Sequence, residues 1–258
     1  MSGKGLVLLA GEGESTRILA HFLAARFPLD AVLLERPVPR SVFLKRRIKS
    51  LGWRKVAGQL AFQAAMSPIL QRAARARRAE IKRQYAMDDG PLPEAGVIRI
   101  DSANSDSARA RLVSLAPAVV VINGTRILSG RTLASVDAAF VNLHAGITPL
   151  FRGVHGGYWA MAQGLPEQCG VTAHRVDTGI DTGCILEQAR IHPGPRDNFT
   201  TYPLLQLGEG MRLLEGILPD LLEGRGRPAR AEPPGPSRLW SHPTAWGYLA
   251  TRIGKGVK

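Results

Sequence analysis

The sequence has few of the features that mark secreted, metal-binding or membrane-spanning chains. It contains two cysteines in 258 residues, Cys169 and Cys184, and their separation matches neither a metal motif nor a disulfide framework. Its longest apolar runs, such as Leu6–Ala10 and Ala118–Ile122, have the length of β-strands and are too short to cross a bilayer. No small-residue cleavage site follows an apolar segment of signal-peptide length. These absences predict a cytoplasmic protein without a metal site.

Acidic side chains are also scarce, with 21 Asp and Glu against 34 Lys and Arg, which gives a formal net charge of +13. Much of the excess lies between Arg36 and Tyr85, where Glu80 is the only acidic residue. A surface with this density of positive charge can bind nucleic acid or phosphorylated small molecules, or it can simply face solvent. Because Trp53 and Phe62 are interleaved with the cations, amphipathic basic helices on an anionic membrane are a further interpretation. The sequence leaves these alternatives open.

Hydrophobic patterning predicts an α/β chain. A buried strand at Leu6–Ala10, a turn, a helix at Thr16–Arg26 and a second strand at Ala31–Glu35 form the opening of a doubly wound, mostly parallel sheet. The pattern predicts further strands at Val97–Ile100, Ala118–Ile122, Ala138–Leu143, Gly170–Val176 and Ile185–Ile191, and a long amphipathic helix at Thr201–Glu223.

Two segments depart from this alternation. The first contains no clear strand and predicts two basic helices, Val42–Ala65 and Ile69–Tyr85. The second, Gly224–Pro236, is dominated by Gly, Pro and Arg and predicts a linker before a short aromatic and basic tail. The predicted organisation is a catalytic domain over 1–223 with a basic helical insertion at 36–90, then a linker and tail over 224–258.

Chemistry-bearing residues follow the predicted Ala138–Leu143 strand. The run N-L-H-A-G-I-T-P-L-F-R-G, at Asn142–Gly153, places an amide and an imidazole on one face of the strand end. A second run, V-D-T-G-I-D-T-G at Val176–Gly183, carries Asp181 in a glycine-rich loop. Two such groups can polarise a carbonyl while a third manages a proton, which suits acyl transfer.

These two runs resemble the folate-dependent formyltransferase family, whose sites combine an N-x-H pair with a D-x-G-[LI]-D-x-G loop. The resemblance extends over roughly 6–35 and 97–223. It implies a Rossmann-like fold and transfer of a formyl group from 10-formyltetrahydrofolate to a primary amine. By position, it also implies that Asn142 and His144 stabilise the oxyanion, and that Asp181 orients His144 and assists proton transfer.

The resemblance also implies binding residues. The R-I-L run after the Ala118–Ile122 strand resembles a family run whose backbone clamps the pterin ring, although it could simply be a strand exit with a packing pair. Together with the acidic loop, it implies that folate is bound by Arg126, Ile127, Leu128, Asp177, Thr178 and Gly179. The candidates for the acceptor side, with a tight turn or core packing as the alternative, are Gly11, Gly13, Arg152, His155 and Tyr158.

Two departures from the family fall on the acceptor side. The family's usual run is N-x-H-P-S, and this chain has Ala145-Gly146 where that run has Pro-Ser. The replacement frees the backbone and removes a hydroxyl. The glycinamide ribonucleotide branch binds phosphate with a G-x-G-S-N turn, whereas Glu12 and Glu14 bring negative charge to that turn here. The segment after Glu223 is too short for the β-barrel of the initiator-tRNA enzymes. We therefore predict a small-molecule amine, such as an amino sugar or another specialised metabolite, as acceptor.

Three other functions stay open at this point. One is formylation of a tRNA-linked or ribonucleotide amine. Another is a 10-formyltetrahydrofolate hydrolase, although such proteins usually carry an N-terminal regulatory domain and Leu6 already begins the first strand. The third is a catalytically inactive anion-binding module, against which the intact Asn142, His144 and Asp181 argue. The sequence leaves the amine and the oligomeric state open.

Overall fold

The computed structural model describes residues 5–92, 96–230 and 235–258. Residues 231–234 of the predicted linker lie outside the described residues. A central sheet has seven strands in the order β3-β2-β1-β4-β5-β7-β8. These strands are β1 (Leu6–Gly11), β2 (Leu29–Glu35), β3 (Val97–Ile100), β4 (Val119–Asn123), β5 (Ala139–His144), β7 (Gly170–Arg175) and β8 (Ile185–Arg190).

The first five strands of the sheet are parallel, and β7 and β8 continue it antiparallel. The predicted Rossmann-like, mostly parallel sheet is therefore confirmed. A separate pair joins β6 (Arg152–Gly153) to β9 (Leu239–Trp240) in parallel. This small pair brings the C-terminal segment beside the chain that leaves β5.

Ten α-helices surround the sheet in the described part of the chain. They are α1 (Glu14–Arg26), α2 (Arg40–Leu51), α3 (Trp53–Ala61), α4 (Ser67–Ala73), α5 (Arg75–Gln84), α6 (Asp106–Leu115), α7 (Gly130–Leu133), α8 (Gly156–Ala162), α9 (Tyr202–Leu222) and α10 (Ala245–Lys255). None of the described helices is long and apolar enough to cross a membrane.

The central strands are apolar throughout because both faces of the sheet are covered. Leu6 and Leu8 of β1 join the apolar cluster that includes residues of α1 and α9. Val7, on the opposite face, packs in the cluster that contains Leu112 of α6. The alternation of β1 side chains thus supports two cores at once.

The basic segment forms four α-helices rather than two. Gly52 separates α2 from α3 with φ 81°, a left-handed conformation that glycine adopts without steric strain. The prediction of one helix over Val42–Ala65 is therefore wrong at Gly52. Beyond α3, a π-helical turn at Phe62–Met66 leads into α4, and Phe62 is buried there in a third apolar cluster.

An ion pair holds α5 against the segment that precedes α9. Arg77 donates from Nε to Oδ1 of the buried Asp197 at 2.8 Å, and the N–H of Gly194 donates to Oδ2 at 2.7 Å. Burial opposes ionisation of Asp197, but the hydrogen bonds from Arg77 and Gly194 outweigh it and hold the pKa of this carboxyl below its usual value. The pair therefore stabilises the folded state while Asp197 is ionised.

We expect Asp197→Ala to lower the free energy of unfolding by about 3 kcal/mol at pH 7, because it leaves a mostly buried guanidinium without its main partner. Urea denaturation measures the change. Since the folded-state pKa is depressed, the contribution is present above the unfolded pKa and is lost as pH falls through the folded pKa, so the difference from wild type should shrink in acid. The exposed pair of Asp101 with Arg36 is the control, and Asp101→Ala should change stability by less than about 1 kcal/mol.

Candidate active site

A cavity of about 750 Å³ opens beyond the carboxyl ends of β4 and β5, which is where ligands bind in doubly wound sheets. Its walls come from regions far apart in the sequence. They include the β4 exit (Ile122, 124–128), the β5 end (142–145), the 153–155 segment, the 176–181 loop with His174, the basic helices (Arg47, Leu51, Lys55), Pro203 and the C-terminal segment (239–242).

Asn142, His144 and Asp181 meet in this cavity. Asn142 and His144 are at the end of β5, and the loop after β7 brings Asp181 to them. The distance from His144 Nδ1 to Asp181 Oδ2 is 3.2 Å, and that from Asn142 Nδ2 to Asp181 Oδ1 is 3.5 Å. The residues that the two sequence runs single out are therefore in mutual contact.

The backbone holds Asp181 in an unusual conformation. Its φ is 52°, in the left-handed region that Asp tolerates better than most non-glycine residues. The N–H of Gly153 donates to Asp181 Oδ2 at 2.8 Å. Burial opposes ionisation of Asp181, but interactions with His174, His144 and Gly153 prevail and hold the pKa of its carboxyl below the usual value. Asp181 is thus a carboxylate at neutral pH.

His144 lies between two oxygen acceptors. Its Nε2 is 2.6 Å from the carbonyl oxygen of Phe151, so this nitrogen carries a proton. Its Nδ1 faces Asp181, where only a second proton would complete a hydrogen bond. Burial lowers the pKa of His144 below its usual value, although Asp181 and the Phe151 carbonyl favour the charged ring. A proton delivered to Nδ1 would therefore find a carboxylate already in place.

The approach of Phe151 to His144 depends on Gly146. A Cβ at this position would lie 2.4 Å from the Phe151 carbonyl oxygen, 2.7 Å from His144 Nε2 and 3.2 Å from the Cα of Gly156. Contacts below 3.0 Å are incompatible with a side chain unless the neighbours move. Gly146 therefore allows the Phe151 carbonyl to approach His144 this closely.

Sequence reasoning missed His174, which lies opposite Asn142 on the antiparallel strand β7. Its Nδ1 donates to the carbonyl of Arg175 at 2.7 Å, and its Nε2 lies 3.2 Å from Asn142 Nδ2 and 3.6 Å from Asp181 Oδ1. His174 thus orients the Asn142 amide. Only its place on an alternating strand near the Asp181 loop could have indicated this, because the cross-strand register is not visible in the sequence.

Five of the six folate-side candidates line the cavity, and Thr178 does not. The guanidinium of Arg126 turns away to Glu35 Oε1 at 2.8 Å, so Arg126 contributes mainly backbone to the wall. Ile127 exposes 55% of its surface, whereas Leu128 is buried. Asp177 accepts the hydroxyl of Thr182 at 2.8 Å and shapes the loop.

The acceptor-side candidates are less united. His155 lines the cavity, but Gly11, Gly13, Arg152 and Tyr158 do not. Tyr158 is buried with Phe62 and Phe199, and Gly11 packs so closely that a Cβ would lie 2.5 Å from the carbonyl of Gly124. Arg152 donates to the carbonyl of Ile180 at 3.1 Å, and so supports the Asp181 loop from behind.

The turn at Gly13 is poorly suited to bind an anion. Glu14, next to it, pairs with Arg78 at 2.6 Å and with Lys82 at 2.6 Å. Burial opposes ionisation of Glu14, but Lys82 and Arg78 prevail and hold the pKa of this carboxyl below its usual value. The Glu14 carboxylate thus pairs with the cations at this turn, where a helix N-terminus could otherwise attract a phosphate.

A second unpredicted group comes from the C-terminal segment. His242 Nδ1 is 2.8 Å from His155 Nε2, and Trp240 stacks on Trp159 with ring centroids 4.6 Å apart. Burial is the main cause that lowers the pKa of His155 to about 3 and that of His242 to about 4. Both rings are therefore neutral at pH 7. They form one wall of the cavity beside the cations Arg47 and Lys55.

Within the described residues, no group of three or more His, Cys, Asp or Glu side chains is arranged to hold a metal ion. The arrangement offers an amide, a buried imidazole and a clamped carboxylate, which are groups for acid–base and carbonyl chemistry.

Comparisons with known proteins point in the same direction. A sequence model of the family described as Formyl transferase matches residues 41–203. Methionyl-tRNA formyltransferase of Anaeromyxobacter dehalogenans is 33% identical over 161 residues, which is 59% of this chain and 46% of that protein. GDP-perosamine N-formyltransferase of Brucella melitensis is 30% identical over 106 residues, 41% of this chain and 40% of that protein.

Solved structures share the fold. A sugar N-formyltransferase from Shewanella superimposes with a TM-score of 0.53 and 16% identity, over 89% of this chain and 75% of that one. This chain spans less than half the length of the two relatives named above. Their names differ in the amine acceptor, so the comparisons do not resolve the acceptor class.

Proposed function

The chain belongs to the formyltransferase family, and from that membership we propose that it transfers a formyl group from 10-formyltetrahydrofolate to a primary amine of a small molecule. One observation carries the proposal. Asn142, His144 and Asp181 share a cavity with residues 126–128 and the 176–181 loop. A formyl donor and an amine can therefore meet beside groups that polarise a carbonyl and accept a proton.

10-Formyltetrahydrofolate would supply the formyl carbonyl, and its pterin would contact the Arg126–Leu128 run and the loop at Asp177 and Gly179. The residues present fit such a ring. The exposed Ile127 offers apolar surface, and Gly124 and Leu128 of the β4 exit line the same wall. The reaction leaves tetrahydrofolate and an N-formylated amine, so that one proton must leave the amine and one must reach the folate nitrogen.

Asn142 is the donor best placed for the carbonyl oxygen. Its amide lies at the cavity wall, with Nδ2 3.2 Å from His174 Nε2 and 3.5 Å from Asp181 Oδ1, so the N–H of the longer contact would turn to the substrate oxygen. A preorganised donor of this kind favours the negative charge that develops on the oxygen during attack.

His144 and Asp181 form the proton acceptor. In the resting site His144 is neutral, with Nε2–H donated to Phe151 and a lone pair on Nδ1 facing the carboxylate. A proton from the amine, received directly or through Asp181, would lie between Nδ1 and Oδ2. The imidazolium then has both its N–H groups bonded, which offsets the cost of burying its charge.

An anion on the acceptor suits the far wall of the cavity. Arg47 and Lys55 line that wall, and neither forms an ion pair with any residue that the structure describes. By contrast, Arg78 and Lys82 at the first turn already form ion pairs with Glu14, and Lys82 also pairs with Asp89. These charges support an acceptor such as an amino sugar on a nucleotide, with its phosphate groups near Arg47 and Lys55 rather than near Gly13.

The decisive experiment incubates the purified chain with 10-formyltetrahydrofolate and a panel of amines. The panel includes nucleotide-linked amino sugars, glycinamide ribonucleotide and methionyl-tRNA, and mass spectrometry detects the formylated product. Formylation of an amino sugar supports the proposal in full. Exclusive formylation of methionyl-tRNA would overturn the acceptor class, and release of formate without an amine would replace transferase by hydrolase. If no amine were formylated and no formate were released, the proposed activity would be rejected.

The folate wall yields a separate prediction. We expect Ile127→Ser to raise the KM for 10-formyltetrahydrofolate about tenfold with little change in kcat, because an apolar contact to the pterin is lost equally in ground and transition states. Steady-state kinetics measures both constants. The matched control is Val113→Ser, since Val113 is 57% exposed on α6 outside the cavity. A fall in kcat at unchanged KM would contradict the assignment of Ile127 to folate binding.

A further inference from the structure

Exposed apolar side chains are concentrated on one part of the surface. Among the residues that the structure describes, nine of the fifteen exposed large apolar side chains belong to the basic helices or to α10. They are Val42, Phe43, Ile48, Trp53, Leu60, Ile69, Trp246, Leu249 and Ile253. A protein surface rarely leaves so many large apolar groups together without a binding role.

The spacing of these residues arranges them in stripes. On α10, Trp246, Leu249 and Ile253 follow one another at intervals of three and four residues, so they share a helix face. Tyr248, on the opposite face of that helix, is fully buried. The apolar stripe of α10 therefore faces solvent, which reverses the usual polarity of a surface helix.

The helix α3 also exposes large apolar side chains. Trp53 and Leu60, seven residues apart on one face, are 66% and 46% exposed, although Val56 between them on that face is buried. The two helices pack on each other, with the Trp246 ring against Gly58, where a Cβ would come within 2.2 Å of the ring. Trp246 thus links α10 to α3, and we call the exposed apolar side chains of these two helices the apolar face.

The helix α2 extends this surface. It contains Val42, Phe43, Leu44 and Ile48, yet none of its residues is buried. A 12-residue helix without buried residues gains little stability from its own hydrogen bonds, because isolated short helices are only marginally stable in water. Its apolar side chains are available to a partner.

Positive charge surrounds the apolar face. Residues 40–73 and 245–258 include no Asp or Glu, and their cations are Arg40, Lys45, Arg46, Arg47, Lys49, Arg54, Lys55, Arg72, Arg252, Lys255 and Lys258. Within the described ranges of the chain, no cation of α2 or α3 takes part in an ion pair. The partner of this face must therefore be both apolar and anionic.

We propose that the apolar face docks on the surface of an anionic lipid bilayer. Leu249, Ile253 and Trp53 would enter the boundary between headgroups and acyl chains, and the surrounding cations other than Arg47 and Lys55 would contact anionic headgroups. Nucleic acid would satisfy the cations, but it offers no apolar layer to cover Leu249 and Ile253. Since Arg47, Leu51 and Lys55 also line the cavity, docking places the acceptor side of that cavity beside the headgroups.

Flotation of the purified full chain with phospholipid vesicles tests the proposal. We expect binding to vesicles that contain phosphatidylglycerol, little binding to pure phosphatidylcholine, and weaker binding at high salt. Lys45→Glu combined with Lys49→Glu should weaken binding about thirtyfold or more, because each lost cation contributes about 1 kcal/mol near such a surface. Leu249→Ser combined with Ile253→Ser should also weaken it at least about tenfold.

A matched control uses α6, where Arg111 and Val113 are exposed. Arg111→Glu combined with Val113→Ser should bind vesicles like wild type, and circular dichroism verifies that every variant is folded. Equal binding of the Leu249/Ile253 variant and wild type would overturn the proposal, and so would tight binding to polyuridylate without retention on vesicles. The assay needs no turnover, so its outcome is independent of formyl transfer.

Discussion

Replacing His144 by alanine is expected to lower kcat by about 10²- to 10⁴-fold while the affinity for folate changes little. The imidazole is buried and lies between Phe151 and Asp181, so its removal deletes the group that receives the amine proton. Steady-state kinetics gives kcat, and calorimetry gives folate binding. His21, which pairs with Asp88 outside the cavity, provides the control, and His21→Ala should leave kcat within about twofold.

Two variants test whether His144 and Asp181 act as one unit. If the proton is shared between them, Asp181→Asn should lose as much activity as His144→Ala, and the double variant should lose little more. Additive losses would instead indicate independent roles, and would contradict the proton acceptor proposed above.

The same assignment has a pH dependence. Burial lowers the pKa of His144 below its ordinary 6.5, so the neutral ring that accepts a proton persists as pH falls through 6.5. After correction for titration of the acceptor amine, kcat/KM should stay level from pH 8 to 6.5 and decline only at lower pH. A decline that begins above pH 6.5 would show that His144 is more basic than its surroundings imply.

Local patterns in the sequence predicted the parts of the site that depend on neighbouring residues. Asn142 and His144 share a face because a strand has a period of two, and their strand ends at the cavity because parallel strands present carboxyl ends to one edge. The central strands were predictable for the same reason, since short apolar runs between turn residues suit a sheet covered on both faces.

The parts that were missed depend on contacts distant in sequence. His174 reaches Asn142 through an antiparallel register that no local pattern contains. His242 and Trp240 reach the cavity because β9 pairs with β6. Tyr158, a candidate for the acceptor, lies instead in a buried aromatic cluster whose members come from four separate segments. Each outcome was decided by tertiary pairing rather than by the sequence pattern around the residue.

Gly146→Ala places a new Cβ where the Phe151 carbonyl meets His144. We expect it to lower the free energy of unfolding by about 1–3 kcal/mol, because the new Cβ would overpack a closed backbone junction. We also expect kcat to fall about 100-fold at temperatures where the variant is folded, since relief of the clash must move the Phe151 carbonyl away from His144. Urea denaturation and kinetics at 15 °C measure the two effects separately.

The same substitution elsewhere provides the control. Gly216 lies within α9, and a Cβ there would meet no atom within 4 Å. Gly216→Ala should therefore stabilise the protein by about 0.5–1 kcal/mol and leave kcat unchanged. If Gly146→Ala kept wild-type kcat, the Phe151 carbonyl would have no part in positioning His144. A serine at position 146 would clash in the same way. This site could therefore accept serine only if the Phe151 backbone moved as well.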